Sequence, residues 1–155
     1  MIPRRFFVTS GKAFSPISEL NALDKALKNA GIAQCNLVPV TSIIPKNCLK
    51  TEKMVIPIGA VTHAVIARKD GIAGQKIGAA IAWAFEKNNE FGLVAEAYGF
   101  MGQEALIENA VWKIKEMAKI REIDVGEINF ELQVLKVPTD NYGCVIATLI
   151  FYPDY

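Results

Sequence analysis

The sequence contains few of the residues that build metal, disulfide or nucleotide sites. Its 155 residues include one histidine and three cysteines, and Cys35, Cys48 and Cys144 follow no CxxC or Cys/His spacing. There is no GxGxxG, P-loop or HExxH motif, and no serine lies in a GxSxG turn. We therefore expect free thiols in a reducing compartment and no metal site. Any catalysis must use carboxylates, lysines or a group that the chain makes itself.

Strong charge and long apolar runs are also lacking. The formal net charge is +1 and the basic residues are scattered, so nucleic acid is not an expected partner. The most apolar stretch, residues 72–85, is too short to span a bilayer and contains Gln75 and Lys76. The apolar run after Arg4 and Arg5 is shorter than the core of a secretory signal. We expect a soluble, cytoplasmic protein that does not enter a membrane.

The composition is that of an ordered globular chain. Apolar residues make up 52% of it and charged residues 21%, and no linker rich in proline, glycine or serine divides it. We therefore predict a single domain over residues 1–155. The mean hydropathy of +0.24 is high for a soluble monomer, which indicates that apolar surface is buried between subunits.

Apolar spacing predicts the element order β-α-β-β-α-β-α-β-β. Helices are expected at 16–30, 74–85 and 103–123, the first with Ser15 as its N-cap and Gly31 as its stop. Strands are expected at 4–9, 92–98, 127–137 and 142–152. A further strand is expected at 36–45, interrupted or placed at an edge by Pro39, and residues 54–68 are expected to form one or two strands broken near Pro57 and Gly59. A break is expected at Gly11, a turn at Asp70-Gly71, and a hairpin through 138–141. The expected fold class is α/β (α+β), a layered αββα sandwich with helices outside packed sheets.

One segment carries a functional resemblance. The run Asn36-Leu37-Val38-Pro39-Val40-Thr41-Ser42-Ile43-Ile44-Pro45 resembles the self-processing site of pyruvoyl-dependent arginine decarboxylases, in which an Asn-Leu pair precedes Ser-Ser or Thr-Ser and then Ile-x-Pro. Residues 20–32 are similar to a helix of that family, and residues 92–99 to its catalytic-glutamate strand. Chain length and element order match as well, so the resemblance covers most of the chain.

The resemblance implies self-cleavage between Thr41 and Ser42 into residues 1–41 (β chain) and 42–155 (α chain). The Ser42 hydroxyl would attack the Thr41 carbonyl, and elimination followed by hydrolysis would leave a covalent pyruvoyl group at residue 42. A β-hydroxyl or thiol at position 42 is essential to this chemistry. Position 41 supplies mainly a carbonyl, so threonine in place of the commoner serine should be tolerated.

The resemblance also assigns roles to other residues. Asn36 would stabilise the oxyanion of the acyl shift, and Glu96, among apolar neighbours that raise a carboxyl pKa, would reprotonate the substrate. Asp24 would bind the substrate guanidinium, with Leu20 on the same helix face. The residues alone leave other interpretations open. Asp24 also fits a solvent-exposed position on a helix, and Asn36 fits a residue that caps the start of a strand. The lone His63 fits a structural or surface role.

The implied reaction converts L-arginine to agmatine and CO2. Asn36 and Ser42 lie six residues apart, about 20 Å along a regular strand, so either the chain bends sharply at Pro39 or two chains share the site. The family is built as a trimer with interfacial sites, and we expect a homotrimer or a multiple of it.

Two alternatives stay open: a pyruvoyl decarboxylase of another amino acid such as histidine, and an uncleaved paralogue that binds a small cation without catalysis.

Overall fold

The computed structural model describes residues 1–154 of the chain. Its elements follow the order β1 (Arg5–Ser15), α1 (Glu19–Ala30), β2 (Asn36–Pro39), β3 (Ile43–Ile44), β4 (Leu49–Lys50), β5 (Val61–Ile72), β6 (Lys76–Phe85), β7 (Gly92–Gly99), α2 (Gln103–Ile120), β8 (Asn129–Lys136) and β9 (Tyr142–Phe151). Of the helices in residues 1–154, none combines the length and the apolar content that crossing a membrane requires.

The strands form two sheets that pack face to face between the helices. The first sheet has the order β2-β5-β9-β1-β4 and the second the order β3-β7-β6-β8. Phe6, Val65 and Leu149 of the first sheet and Ile81 and Val94 of the second share one buried core. A second core joins α1 to the first sheet, and a third joins α2 to the second sheet. The predicted αββα sandwich is confirmed.

Both predicted outer helices are present, with adjusted ends. Helix α1 begins at Glu19 rather than Pro16 because Ser18 is its N-cap, accepting a 3.1 Å hydrogen bond from the Asn21 N–H. The predicted cap at Ser15 is wrong, since that residue ends β1. Gly31 ends the helix in the left-handed conformation (φ 79°) as predicted. Helix α2 spans Gln103–Ile120, close to the predicted range.

The predicted helix at 74–85 is wrong, because these residues form the strand β6. β6 lies between β7 and β8 in the second sheet and is buried on both faces. Ile77 and Ile81 face the first sheet, whereas Ala80, Ala82 and Ala84 lie under α2. A strand buried on both sides shows no polar alternation, and its alanines favour a helix locally. Pairing with two neighbouring strands overrides that local preference.

Three turn predictions fail for related reasons. Gly11 does not break the first strand, and Asp70-Gly71 lies inside β5. Residues 137–141 form no hairpin, since β8 pairs with β6 in one sheet and β9 pairs with β1 and β5 in the other. The glycines are needed for close packing rather than for turns: a Cβ on Gly71 would meet Ile77 Cγ2 at 2.6 Å.

Gly11 sets how closely α1 approaches the first sheet, which gives a stability prediction. A Cβ at this position would collide with the Ala26 carbonyl oxygen of α1. We expect Gly11→Ala to lower the free energy of unfolding by roughly 2–3 kcal/mol through overpacking. Gly126→Ala is the matched control, because its Cβ would lie 3.8 Å from the nearest atom, the Phe85 carbonyl oxygen. Urea unfolding measures both, and an equal loss in the two variants would contradict the packing argument.

Candidate active site

The Thr41-Ser42 peptide lies where the chain crosses from one sheet to the other. β2 belongs to the first sheet and β3 to the second. On one side of the crossing the Val40 N–H donates to the Ala64 carbonyl at 2.9 Å, and on the other the Val94 N–H donates to the Ser42 carbonyl at 2.9 Å. The peptide between residues 41 and 42 is therefore held between anchors on two different sheets.

The reacting groups at this crossing are not engaged elsewhere. Within residues 1–154, neither the Thr41 carbonyl nor the Ser42 hydroxyl has a hydrogen-bond partner. Thr41 is exposed and Ser42 is half-buried. The Ser42 carbonyl that accepts from Val94 belongs to the peptide with Ile43. Breaking the 41–42 bond would leave this anchor in place.

The pairing of β3 with β7 sets the distance between Ser42 and Glu96. Ile43 pairs with Leu93 and Ile44 with Gly92, so the same register places Ser42 opposite Val94. Glu96 is then a diagonal neighbour of Ser42, about 7–8 Å away at the backbone and on the same face of the sheet. Both residues line one cavity of about 370 Å³. The structure therefore brings together two residues that are far apart in the sequence.

The cavity wall is supplied mostly by β7 and α2. Its lining residues are Ser42, Val94, Ala95, Glu96, Tyr98, Trp112, Lys113, Glu116, Met117 and Ile120. The sequence predicted Ser42 and Glu96 for the site but none of the residues that α2 contributes. They were missed because no sequence signal shows that one side of this helix adjoins the open edge of β7.

Glu96 is a partly buried carboxyl with a lysine nearby. It is half-buried in β7, and burial raises its carboxyl pKa, an effect that the nearby charge of Lys113 opposes. The Lys113 Nζ donates a 2.6 Å hydrogen bond to the backbone carbonyl of Glu96. A second cavity of about 650 Å³ also reaches Glu96; its other lining residues are Glu19, Ile66, Arg68, Lys69, Asp70 and Tyr98.

The other predicted site residues do not join this cavity within one chain. The Asn36 side chain is exposed and donates a 3.0 Å hydrogen bond to the Gly59 carbonyl. Asp24 is exposed on α1, and Leu20 is 72% exposed there. None of the three lines the cavity that holds Ser42 and Glu96.

The chain does not bend at Pro39. β2 stays in register with β5 from Asn36 opposite Val61 to Pro39 opposite Ala64, and the Val40 N–H continues the bonding to β5. Of the two explanations for the separation between Asn36 and Ser42, a bend at Pro39 is therefore wrong.

In the part of the chain that the structure describes, no three metal-ligating side chains are grouped.

Comparison of the sequence with known proteins identifies its family. The family model for pyruvoyl-dependent arginine decarboxylases matches residues 5–155. A pyruvoyl-dependent arginine decarboxylase of Thermococcus kodakarensis is 31% identical over 153 residues, which cover 97% of this chain and 96% of that protein. One of Methanopyrus kandleri is 26% identical over 155 residues, covering 97% and 98%. Because the match extends over nearly all of the sequence, the chain belongs to the pyruvoyl-dependent arginine decarboxylase family.

Proposed function

We propose that this chain cleaves its own Thr41-Ser42 peptide and then decarboxylates L-arginine to agmatine and CO2. The observation that carries the proposal is the crossing segment. Its hydroxyl and carbonyl are unengaged within residues 1–154, and the register of β3 and β7 brings it near Glu96, whose carboxyl pKa is raised by burial.

The cleavage uses only atoms of residues 41 and 42 and one water. The Ser42 Oγ attacks the Thr41 carbonyl carbon, and the C–N bond breaks to give an ester and a free amine. Removal of the Ser42 α-proton then expels the Thr41 carboxylate and leaves a double bond. Water displaces the amine as ammonia, so that residue 42 becomes a pyruvoyl group. The negative charge on the Thr41 oxygen in the first step needs a hydrogen-bond donor.

The fold tolerates a break at this bond. Residues 1–41 contain β1, which lies inside the first sheet between β9 and β4 and pairs with β9 from Phe6 to Ser15. Helix α1 of the same fragment is packed against that sheet through Ala22, Ala26 and Ala30. The two fragments therefore stay joined by a sheet and a core after the peptide has broken.

Glu96 is the proposed proton donor of the decarboxylation. A pyruvoyl group supplies an electrophilic carbonyl for the substrate amine and an acceptor for the electrons that remain when CO2 leaves. Glu96 and Ser42 line the same cavity. Burial raises the carboxyl pKa of Glu96, which favours the protonated form, and in the proposed step Glu96 passes its proton to the substrate carbon that has lost CO2.

We propose that arginine binds between two chains of a homotrimer or of a multiple of it. Asp24, Leu20 and Asn36 are exposed and absent from the cavity of their own chain, which suits contribution to a neighbour's site. In that arrangement Asp24 receives the guanidinium through paired hydrogen bonds, Leu20 contacts the aliphatic stem, and Asn36 donates to the Thr41 oxygen. Tyr98 and Trp112 border the cavity, and they are 53% and 63% exposed. Their rings offer apolar surface to a partner chain.

A reducing compartment such as the cytoplasm fits the thiols. Cys35, Cys48 and Cys144 are all free. Burial raises the pKa of Cys48 to about 11 and that of Cys144 to about 12, so both stay protonated and unreactive.

Self-cleavage predicts two fragments in the purified protein. Denaturing mass spectrometry should show residues 1–41 and a blocked 42–155 fragment, in place of the intact 17.0 kDa chain. Ser42→Ala should stay intact because it lacks the attacking oxygen, whereas Thr41→Ala should still cleave because it keeps the carbonyl. An intact wild-type chain, or a cleaved Ser42→Ala chain, would refute the proposal.

The anchoring of β3 should control the rate of cleavage. Ile44 is fully buried next to Gly92, whereas Ile43 is 41% exposed. We expect Ile44→Ala to lower the free energy of unfolding by roughly 2–5 kcal/mol and to slow cleavage of freshly made precursor. Ile43→Ala, the matched control, removes the same atoms from a more exposed position and should change both far less. Cleavage is followed by gel densitometry, and equal rates in the two variants would contradict the role of the anchor.

Site sharing predicts complementation between two defective chains. Asp24→Asn should lose arginine binding far more than self-cleavage, whereas exposed Asp140→Asn should lose neither. When Asp24→Asn and Ser42→Ala chains are co-expressed, mixed oligomers should regain roughly a quarter of the wild-type sites if residue 42 and Asp24 come from different chains. Activity is measured as CO2 released from arginine. No recovery in mixed oligomers would place both residues in one chain and overturn the shared site.

A further inference from the structure

Lys113 joins α2 to the strand that carries Glu96. Its Nζ lies 2.6 Å from the Glu96 carbonyl oxygen, and the side chain is half-buried. Within residues 1–154 it forms no ion pair with a carboxylate. Lys113 therefore differs from an ordinary surface lysine: its ammonium makes a charge-assisted hydrogen bond to a backbone carbonyl and acts on the Glu96 carboxyl.

The free edge of β7 explains why the Glu96 carbonyl needs this partner. β3 pairs with β7 at Gly92 and Leu93, and Ser42 adds a bond to the Val94 N–H. Backbone groups of alternate residues in a strand point to the same edge, so Glu96 is the next residue to face outward after Val94. The Ser42 carbonyl and the Lys113 ammonium thus bind successive outward-facing residues of one edge.

We propose that Lys113 is a positioning residue for Glu96: its ammonium fixes the Glu96 peptide at a set distance from residue 42 and brings a positive charge close to the Glu96 side chain. The inference rests on the proposed role of Glu96 as proton donor. It deepens that role by naming what holds the acid in place.

Of the cations near Glu96, Lys113 is the one that acts on the pKa of its carboxyl. The ionisable groups that line the two cavities with Glu96 are Lys113 and Glu116 of α2, Arg68, Lys69 and Asp70 of β5, Glu19 of α1 and Tyr98 of β7. Arg68 is paired with Asp70 at 2.8 Å, and the Lys69 ammonium lies 4.1 Å from the centre of the Phe100 ring. Lys113 is the charge that lowers the Glu96 pKa against the effect of burial.

Three substitutions separate the charge of Lys113 from its hydrogen bond. Lys113→Arg keeps both, Lys113→Gln keeps a donor without charge, and Lys113→Met keeps neither. Lys115→Met is the control, because Lys115 is an exposed neighbour on the same helix outside both cavities. Each is made in the processed enzyme for kinetics and in the uncleaved Ser42→Ala chain for titration.

The titration reads Glu96 without requiring activity. Carbon-13 NMR of labelled glutamate carboxyls follows each pKa, and the Glu96 signal is assigned by its loss in Glu96→Gln. Removing the Lys113 charge should raise the Glu96 pKa in Lys113→Met and Lys113→Gln but not in Lys113→Arg or Lys115→Met. Because Glu96 acts in its protonated form, the alkaline limb of kcat should move to higher pH by the same amount.

Steady-state kinetics test the hydrogen bond from Lys113 to the Glu96 carbonyl. Lys113→Met should lower kcat roughly tenfold with little change in KM, since a loosened acid is misplaced for proton delivery. Lys113→Gln should recover part of kcat while keeping the shifted pH limb, and Lys113→Arg should recover both. A merely structural role would lower the unfolding midpoint and leave the pH limb in place.

The outcomes separate this inference from the proposed function. An unchanged Glu96 titration in both Lys113→Met and Lys113→Gln overturns the inference, whether or not the protein decarboxylates arginine. If the Glu96 titration shifts in these variants while the wild-type protein neither cleaves nor decarboxylates arginine, the link between Lys113 and Glu96 is supported and only the proposed function is refuted. If Lys113→Met does not fold, Lys113→Gln carries the same test.

Discussion

The hydrogen bond from the Val94 N–H to the Ser42 carbonyl is the contact on which the site depends. It fixes residue 42 to the second sheet directly after the chain has left the first sheet. The register of β3 and β7 then places Glu96 one diagonal step away. Because the bond uses the carbonyl on the far side of residue 42, the geometry would survive loss of the 41–42 peptide. One strand pairing thus positions the residues of both the proposed cleavage and the proposed proton transfer.

The short edge strands β2 and β3 leave much of two sheet edges uncovered on the same side of the sandwich. β2 covers β5 only to Ala64, and β3 covers β7 only at Gly92 and Leu93. Exposed strand edges invite pairing and aggregation unless they are covered or blocked. Here side chains occupy the gap: Lys113 binds the edge carbonyl of Glu96, and aromatic residues border the cavity. The cavity that Ser42 and Glu96 line opens beside this uncovered edge.

Local sequence signals predicted several of the elements and some of their ends. The α2 helix, β7, the stop at Gly31 and the interruption after Pro39 appear as expected. The failures are elements decided by tertiary contact. β6 has alanine-rich helical character but is buried between two strands and two layers. The last two strands looked like a hairpin because a turn-rich linker joins them, yet each finds its partners in a different sheet.

The sequence by itself, through its resemblance to a family, indicated the proposed cleavage between Thr41 and Ser42, whose carbonyl and hydroxyl belong to adjacent residues. It also nominated Glu96 and Asp24, through motifs that resemble a family. Only the tertiary structure decided which of these lie together. Ser42 and Glu96 meet through a strand register, and Lys113 reaches Glu96 across a helix-to-sheet contact. Distances between residues far apart in the chain are fixed by packing and pairing, which no local pattern encodes.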